Sequence, residues 1–324
     1  MNSPGFSLKP WLQSIALGLS LIASPLLANT WPLPPAGSRL VGENSFHEVA
    51  NDGGSLEAIA KTYNVGFLAL LQANPGVDPY VPRPGSILTI PRQALLPDVP
   101  RQGIVINLAE LRLYYYPPGA KEVIIYPIGI GQLGGTTVTP TMVTTIADKR
   151  ANPTWTPTPN IRARYKKEKG IILPAVVPAG PDNPMGHHAI RLAAYGGVYL
   201  LHGTNADFGI GMRVSSGCIR LRDDDIKWMF SNVPTGTKVT IINTPVKASS
   251  EPDGRQLLEI HQPLSKNIDD DPQTLPIVFN DAIRKVTNAP ASDSSIVDAA
   301  VKHRSGMPVD ISHARPDFTA PQSM

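Results

Sequence analysis

The stretch His202-Gly-Thr-Asn-Ala-Asp-Phe-Gly-Ile-Gly-Met-Arg-Val-Ser-Ser-Gly-Cys218-Ile-Arg-Leu contains the only cysteine of the 324-residue chain. A single thiol cannot form an intramolecular disulfide, and this one follows a histidine by sixteen positions. A free cysteine often serves as a small buried apolar residue. The adjacent glycine and the upstream histidine favour instead a cysteine nucleophile with a histidine partner.

The residues of this stretch suit the chemistry of acyl transfer. A thiol attacks an acyl carbon as its thiolate, so Cys218 needs a base such as His202 within hydrogen-bond reach. Gly209 and Gly211 allow the connecting segment to fold back. Gly217 permits a sharp turn that would aim its own amide and the Cys218 amide at a developing oxyanion.

The first 28 residues have the pattern of an export signal. Lys9 is the only charge before an apolar run over 11–27, and Ala28 is a small residue at which cleavage could occur. The run is shorter than the roughly 20 residues that cross a bilayer. The sequence therefore predicts a cleaved signal peptide at 1–28. An uncleaved signal anchor remains the alternative, because Leu26 departs from the usual small residue three positions before the cleavage site.

Composition limits the classes of partner. The formal net charge is +3, and the basic residues form no stripe with interleaved aromatic residues. This pattern argues against nucleic-acid binding.

The chain has 34 prolines, which indicate many turns and extended segments. Residues 29–44 are rich in proline and glycine and are interpreted as a linker.

Residues 45–92 form a compact unit of four predicted elements. These are a strand at 46–49, helices at 56–63 and 67–72, and a strand at 87–90. Ser55 is the expected N-cap of the first helix. This order, with Asp-Gly-Gly-Ser and Asn-Pro-Gly turns, resembles a LysM module, a family that binds the N-acetylglucosamine-containing glycan of peptidoglycan or chitin. A small unit that only orients the next domain is the alternative.

Residues 101–245 have the alternation typical of strands. The segments 104–108 and 111–116 predict a hairpin, and further strands are expected at 123–126, 142–146, 198–202 and 238–242. One helix is predicted at 224–230, with Asp223 as its N-cap. We therefore expect a mainly β catalytic domain, a β-sandwich with a short helix, that opens at the Cys218 end.

The remaining residues, 246–324, form a mixed C-terminal extension of unknown role. They contain one predicted strand at 256–261 and two predicted helices at 282–286 and 295–301. The acidic run Asp269-Asp-Asp271 is interpreted as a solvated surface feature and not as a metal site.

The motif His202-Gly-Thr followed by Ser215-Ser216-Gly217-Cys218-Ile-Arg resembles the signature of the L,D-transpeptidase (YkuD-type) catalytic domain. The likeness extends to Pro184-Met185-Gly186 and to Asn152-Pro-Thr-Trp155. With a LysM module in front and an extension behind, the chain is most similar to the enterobacterial periplasmic subgroup. Those enzymes attach an outer-membrane, Braun-type lipoprotein to peptidoglycan.

The resemblance implies a role for each residue of the motif. Cys218 would be the nucleophile, His202 the general base and Gly217 a backbone donor of the oxyanion hole. Many members of the family have histidine at the position of Ser216. This departure leaves open which residue orients the imidazole of His202, and Ser215 is a candidate through its side chain or its carbonyl.

Four further residues are expected in the substrate site: Arg220, Met185, Gly186 and Gly203. The resemblance places Arg220 near a substrate carboxylate. An ion pair between Arg220 and the acidic run Asp223-Asp-Asp225 is an equally good reading of the sequence. No metal and no cofactor is implied.

The implied reaction is a two-step acyl transfer on peptidoglycan tetrapeptide stems. The cysteine would attack the carbonyl of the L-centre of diaminopimelate and release D-alanine. The C-terminal lysine of the lipoprotein would then resolve the thioester. A diaminopimelate amine or water as acceptor, and a non-catalytic protein that binds peptidoglycan, are the alternatives. Carbapenems are expected to acylate the same cysteine.

Overall fold

The computed structural model of the protein describes residues 29–52, 54–133 and 138–313. Its strands are β1 (Thr30–Pro32), β2 (Leu40–Val41), β3 (Ser45–Glu48), β4 (Ile87–Ile90), β5 (Ala94–Leu95), β6 (Gly103–Asn107), β7 (Arg112–Tyr116), β8 (Glu122–Pro127), β9 (Ile130–Gly131), β10 (Met142–Ala151), β11 (His188–Leu192), β12 (Leu200–His202), β13 (Arg213–Ser215), β14 (Ile219–Arg220), β15 (Lys238–Ile242), β16 (Val246–Ser250), β17 (Gln256–Ile260) and β18 (Pro308–Asp310). Its helices are α1 (Leu56–Thr62), α2 (Phe67–Ala73), α3 (Pro159–Lys169), α4 (Asp223–Asn232), α5 (Asp281–Thr287) and α6 (Ser294–His303).

The expected signal peptide at 1–28 lies outside the described residues. Within the three described ranges, no helix has both the length and the apolar character needed to cross a bilayer.

The N-terminal module has the predicted β-α-α-β order. Strands β3 and β4 pair antiparallel, and α1 and α2 follow one another between them. The Ser55 hydroxyl accepts a hydrogen bond from the Ala58 amide at 3.3 Å, which confirms the expected N-cap. Leu56, Leu70 and Ile90 are fully buried in the core of the module. The module therefore has a hydrophobic core of its own.

Strand β1 and eight strands of residues 101–245 form a nine-stranded sheet, in the order β1-β8-β7-β6-β15-β10-β11-β12-β14. The predicted hairpin is confirmed, because β6 pairs antiparallel with β7 from Gly103–Tyr116 to Asn107–Arg112. Residues from both halves of the sheet share one buried cluster, including Ile106, Ile190 and Leu201. Because both halves cover a common core, the sheet is curled. The expected mainly β class is therefore confirmed.

The helix predicted at 224–230 is confirmed as α4, but its predicted N-cap is wrong and a second helix was missed. Helix α4 begins at Asp223 with Arg222 in the N-cap position, so Asp223 is not the cap. Its carboxylate instead accepts a hydrogen bond from the His187 amide at 3.2 Å. Helix α3, which the sequence analysis did not predict, lies between β10 and β11. It has no buried residue, so it lacks the apolar periodicity by which helices are recognised.

The segment interpreted as a linker at 29–44 contributes strands to the fold. Strand β1 pairs with β8 at the edge of the large sheet, with Trp31 opposite Val123. Strand β2 pairs with β5, which follows the N-terminal module. The chain therefore contacts the catalytic sheet before it enters the N-terminal module.

The C-terminal extension is a compact unit with a core of its own. Strands β16, β17 and β18 form an antiparallel sheet, and α5 and α6 pack on it around Leu258 and Ile283. The predicted strand at 256–261 and the predicted helices at 282–286 and 295–301 are confirmed as β17, α5 and α6.

Candidate active site

Two neighbouring strands bring the candidate cysteine and histidine together. Strand β12 pairs parallel with β14, and His202 lies opposite Arg220 in this register. Side chains alternate across a strand, so residues two positions apart share a face. Cys218 and Arg220 therefore face the same side as His202, and all three line one cleft.

This cleft, which we call the Cys218 cleft, has a volume of about 440 Å³. Its other lining residues come from β10, α3, β11, β12, β13 and the segments next to these elements: Asp148, Arg150, Pro153, Thr154, Trp155, Thr156, Thr158, Ile161, Arg164, Tyr165, Pro184, Met185, Ala189, Arg191, Gly197, Val198, Leu200, Val214, Ser215 and Ser216. Asp148 forms salt bridges with Arg191 and Arg150. The two other arginines of the lining, Arg164 and Arg220, have no acidic partner among the described lining residues, so the cleft carries net positive charge.

The imidazole of His202 is buried and held in one orientation. Its Nδ1 lies 2.6 Å from the Gly203 carbonyl oxygen. Because a carbonyl only accepts, Nδ1 carries the hydrogen and Nε2 has a free lone pair in the neutral ring. Burial, and secondly the nearby Arg220 guanidinium, lower the pKa of His202 to about 4. The ring is therefore a neutral base at neutral pH.

The Cys218 thiol is also neutral in the resting structure. It donates to the Val198 carbonyl with an Sγ–O distance of 3.8 Å. Burial raises the pKa of the thiol, while a hydrogen bond from the Leu200 backbone and the charge of Arg220 act in the opposite direction. The side chain retains partial exposure to the cleft. The thiol and the imidazole of His202 therefore both rest in their neutral forms.

Arg220 is not paired with the acidic run that follows it. Its Nε is buried and makes no hydrogen bond within the part of the chain that the structure describes. Asp223 accepts from the His187 amide, and Asp225 accepts from the Asn64 side chain at 2.8 Å. The alternative of an ion pair between Arg220 and Asp223-Asp-Asp225 is therefore wrong. The guanidinium is available to an anion in the cleft.

Ser215 holds the loop around the cysteine. Its hydroxyl donates to the Cys218 carbonyl at 2.5 Å and accepts from the Gly217 amide at 3.2 Å. Its carbonyl accepts from the Gln132 amide at 3.0 Å. The contact to the His202 ring that we considered for Ser215 is instead made by Gly203.

The two amides considered for an oxyanion hole differ in their contacts. The Gly217 amide is occupied by the Ser215 hydroxyl. The Cys218 amide makes no hydrogen bond to any residue of 29–52, 54–133 or 138–313. The resting geometry therefore leaves the Cys218 amide as the available donor, and Gly217 would join it only after a change of partner. Gly217 itself has φ of 108°, which favours glycine.

Thr139 supports this loop, and sequence reasoning missed it. It is buried, its hydroxyl donates to the Gly217 carbonyl at 2.9 Å, and it accepts from the Gly131 amide at 2.9 Å. Thr139 thus joins β9 to the cysteine loop. No signal in the sequence marks it, because the contact spans 78 positions of the chain.

The other predicted substrate residues separate into two groups. Met185 lines the Cys218 cleft. Gly186 and Gly203 lie beside the Asp223 carboxylate and are not part of the lining. A Cβ would lie 2.7 Å from Asp223 Oδ1 at Gly186 and 2.5 Å from it at Gly203. A side chain at either position would collide with Asp223, so both glycines are needed for its carboxylate to accept from the His187 amide.

Helix α3 covers one side of the cleft. Arg164 donates from Nη2 to the Ser216 hydroxyl at 3.3 Å, which joins the helix to the cysteine loop. The rings of Trp155 and Tyr165 contact each other with centroids 6.4 Å apart. Ser216 therefore contacts the covering helix.

One group of described residues has the composition of a metal site. Ligand atoms of Glu110, Glu259 and His261 all lie within 4.8 Å of one another. However, the Lys247 Nζ lies 2.9 Å from Glu110 and 3.0 Å from Glu259. The ammonium supplies the positive charge that a metal ion would bring, so the group is an ionic cluster of the protein itself.

Comparison with known families accounts for most of the chain. The L,D-transpeptidase catalytic domain matches residues 101–241, the L,D-transpeptidase C-terminal domain matches 245–311, and the LysM domain matches 51–91. The extension that carried no recognised motif is therefore a domain that belongs to this family.

Several known proteins are similar to the chain. The probable L,D-transpeptidase YcfS of Escherichia coli K12 is 72% identical over 302 residues, covering 93% of this chain and 94% of that protein. The probable L,D-transpeptidase ErfK/SrfK of the same organism is 53% identical over 290 residues, covering 88% and 92%. A solved Mycobacterium tuberculosis L,D-transpeptidase 3 with a faropenem-derived adduct has a TM-score of 0.29 and 15% identity, covering 49% of this chain and 75% of that chain. Because the two E. coli relatives span nearly the whole chain, the chain belongs to the L,D-transpeptidases, a family of enzymes that act on peptidoglycan.

Proposed function

We propose that this L,D-transpeptidase works through a thioester on Cys218, with His202 as general base. The observation that carries the proposal is that His202 ends β12, Cys218 directly precedes the parallel neighbour β14, both line one cleft, and the Gly203 carbonyl fixes the imidazole. A nucleophile beside an oriented base is the arrangement that covalent acyl transfer requires.

The first step follows from the neutral resting pair. Sulfur attacks the carbonyl of the L-centre of diaminopimelate as the thiol proton moves to Nε2 of His202. The Cys218 amide donates to the oxyanion that develops on the carbonyl oxygen. The tetrahedral intermediate then collapses, the carbon–nitrogen bond breaks, and the imidazolium gives its proton to the departing amine of D-alanine. A thioester and free D-alanine result.

In the second step, His202 carries a proton from the acceptor amine to the sulfur of Cys218. An acceptor amine attacks the thioester carbonyl while neutral His202 removes a proton from the amine. The carbon–sulfur bond breaks, and the imidazolium returns a proton to the thiolate. The products are an amide and the resting thiol, so no metal or redox partner enters the balance.

Donor recognition is proposed to involve both modules. The buried, unpaired Nε of Arg220 suits a carboxylate of the stem, because charge-assisted bonds from arginine are strong. The LysM module is proposed to hold the glycan strand. Tyr80 and Val81 remain 80% and 66% exposed in the loop after α2, where apolar surface is open to a ligand.

The acceptor is proposed to be the C-terminal lysine of an outer-membrane lipoprotein, and the protein is proposed to act in the periplasm after export. This part of the proposal rests on the resemblance of the whole chain, with its LysM module and C-terminal domain, to the lipoprotein-attaching subgroup. Carbapenems are proposed to acylate Cys218, because their strained carbonyl is open to the same thiol.

The purified mature protein tests the proposal directly. It is incubated with a diaminopimelate tetrapeptide muropeptide, with and without a lysine-terminated lipoprotein peptide, and Cys218→Ala is the control. Release of D-alanine and a peptide–muropeptide adduct, both lost in the control, are the expected result. D-alanine release without an adduct would contradict the lipoprotein acceptor and indicate water or diaminopimelate. No thioester mass on Cys218 would contradict the mechanism.

A further inference from the structure

The loop between His202 and Cys218 lies against the LysM module. The Phe67 amide donates to the Ile210 carbonyl at 3.2 Å, and the Leu68 amide donates to the Gly211 carbonyl at 3.4 Å. The first amides of a helix have no partner within the helix. Those of α2 in the LysM module are thus satisfied by carbonyls of the loop that connects the catalytic pair.

Two glycines allow this close approach. A Cβ on Gly211 would lie 2.4 Å from Gly66 Cα and 2.4 Å from the Phe67 nitrogen. Gly211 also has φ of 78°, which disfavours other residues. The backbones of the two modules are therefore in direct contact, and this contact does not depend on long, mobile side chains.

A polar contact joins the module to the other side of the cysteine strand. The Asn64 Oδ1 accepts from Arg222 Nη1 at 2.6 Å, and the Asn64 Nδ2 donates to Asp225 Oδ1 at 2.8 Å. Arg222 also donates from Nη2 to the Val65 carbonyl at 3.1 Å. Arg222 and Asp225 are both buried. The Asn64 amide therefore bridges the side chains of Arg222 and Asp225, at the start of the helix that follows β14.

The contacts continue from the loop to the site itself. The Gly211 amide donates to the Ile128 carbonyl, and the Ile130 amide donates to the Met212 carbonyl, each at 3.0 Å. Gly129 and Arg220 exchange two backbone bonds of 2.8 Å. The LysM module therefore supports the Cys218 segment on one side through the loop and on the other through Arg222.

We propose that Asn64 and the first turn of α2 in the LysM module position the cysteine site, so that the module increases the rate of chemistry even on substrates without glycan. The proposal rests on the proposed role of Cys218 as nucleophile. Asn64 is a positioning residue, because it acts through Arg222, Asp225 and the loop and does not touch the substrate. A module that served only to tether glycan would have no such effect.

The test measures acylation of Cys218 without any glycan present. Wild type and Asn64→Ala are mixed with a glycan-free tetrapeptide and, separately, with a carbapenem, and intact mass follows the adduct on Cys218. We expect an acylation rate about tenfold lower in Asn64→Ala, with kcat affected more than KM, because a small misplacement of reacting groups is costly. Asn232→Ala is the matched control, since Asn232 is exposed and bonds only to Trp228 within α4.

A double variant separates positioning from loss of folding. Asn64→Asp with Asp225→Asn exchanges donor and acceptor while it retains an acceptor for Arg222, and we expect it to recover most of the rate. Thermal unfolding confirms that each variant is folded at the assay temperature. If Asn64→Ala is acylated as fast as wild type, the inference is wrong while the proposed function still stands. A defect of Asn64→Ala that appears only with glycan-bearing muropeptides would also contradict the inference. No acylation of wild type would overturn the proposed function and the inference together.

Discussion

The proposed catalytic pair, Cys218 and His202, lies in surroundings that favour the neutral form of both side chains. Burial penalises the imidazolium of His202 and the thiolate of Cys218 alike. Arg220 lowers the pKa of both groups, because its charge repels the imidazolium and attracts the thiolate. A preformed ion pair of the kind found in other cysteine enzymes is thus absent between these two described residues. In the proposed mechanism, the proton therefore moves from the thiol to the imidazole during the attack.

The proposed role of His202 fixes the expected pH dependence of the reaction. As general base the imidazole must be neutral, and its pKa is lowered from 6.5 to about 4. We expect kcat/KM for the tetrapeptide to be constant between about pH 5 and pH 8 and to fall only as pH drops through about 4. Initial rates across this range measure the profile. His303→Gln, on the exposed end of α6, should leave it unchanged. An acid limb near 6.5 would contradict the neutral, buried base.

Replacing Arg220 should change two quantities at once. In Arg220→Met the positive charge beside the imidazole is lost, so the pKa of His202 rises and the acid limb moves to higher pH. Loss of the guanidinium should also raise KM for the tetrapeptide by about tenfold. The pH–rate profile and KM measure both effects. Arg284→Met, at an exposed position of α5, is the matched control. An unchanged KM would remove Arg220 from donor binding.

Among the elements, those with apolar alternation were predictable and helix α3 was not. Strands β6 and β7 are recognisable because every second side chain must enter the core, and the Cys218 motif identified the family. Helix α3 faces solvent and the cleft, so its sequence contains no apolar stripe. Its end signals were present, since Thr158 caps it, Pro159 begins it and Gly170 ends it with φ of 68°. Capping chemistry without periodicity was the missed signal.

The same property makes α3 the least stable helix near the cleft. A helix of this length without a buried face is marginal in water, because helices gain most of their stability from packing. Helix α4, by contrast, buries Ile226 and Met229. We expect backbone amides of α3 to exchange hydrogen at least about a hundredfold faster than those of α4. Hydrogen-exchange mass spectrometry measures the ratio, and equal protection would mean that α3 is held by contacts stronger than Arg164–Ser216.

At the scale of the molecule, the C-terminal domain is joined to the catalytic domain by a buried ionic cluster. Glu110 and Arg112 come from the β6–β7 hairpin, and Lys247, Glu259 and His261 come from the C-terminal domain. The charge of Lys247, hydrogen bonding from His261 and the charge of Arg112 together lower the pKa of Glu259, although burial acts against them. The carboxylates of Glu110 and Glu259 thus lie against the cationic side chains of Arg112 and Lys247, and all four residues are buried.

The sequence could not predict this cluster or the contacts of the LysM module. Glu110 and Lys247 are ordinary charged residues when read along the chain, and most charged residues remain at the surface. Asn64 and Arg222 are separated by 158 positions, and no local pattern links them. The division into modules was readable from turns and periodicity, whereas the way in which the modules are joined depends on long-range packing.

Removing one member of the cluster should destabilise the whole protein. Lys247 is 1% exposed, so Lys247→Met leaves Glu110 and Glu259 buried with insufficient positive charge. Breaking a buried ion pair from one side costs about 3–5 kcal/mol. We expect a decrease of that size in the free energy of unfolding, measured by urea denaturation at neutral pH. Lys285→Met, an exposed lysine on α5 of the same domain, should change it by less than about 0.5 kcal/mol. Equal effects of the two substitutions would show that the cluster does not hold the domains together.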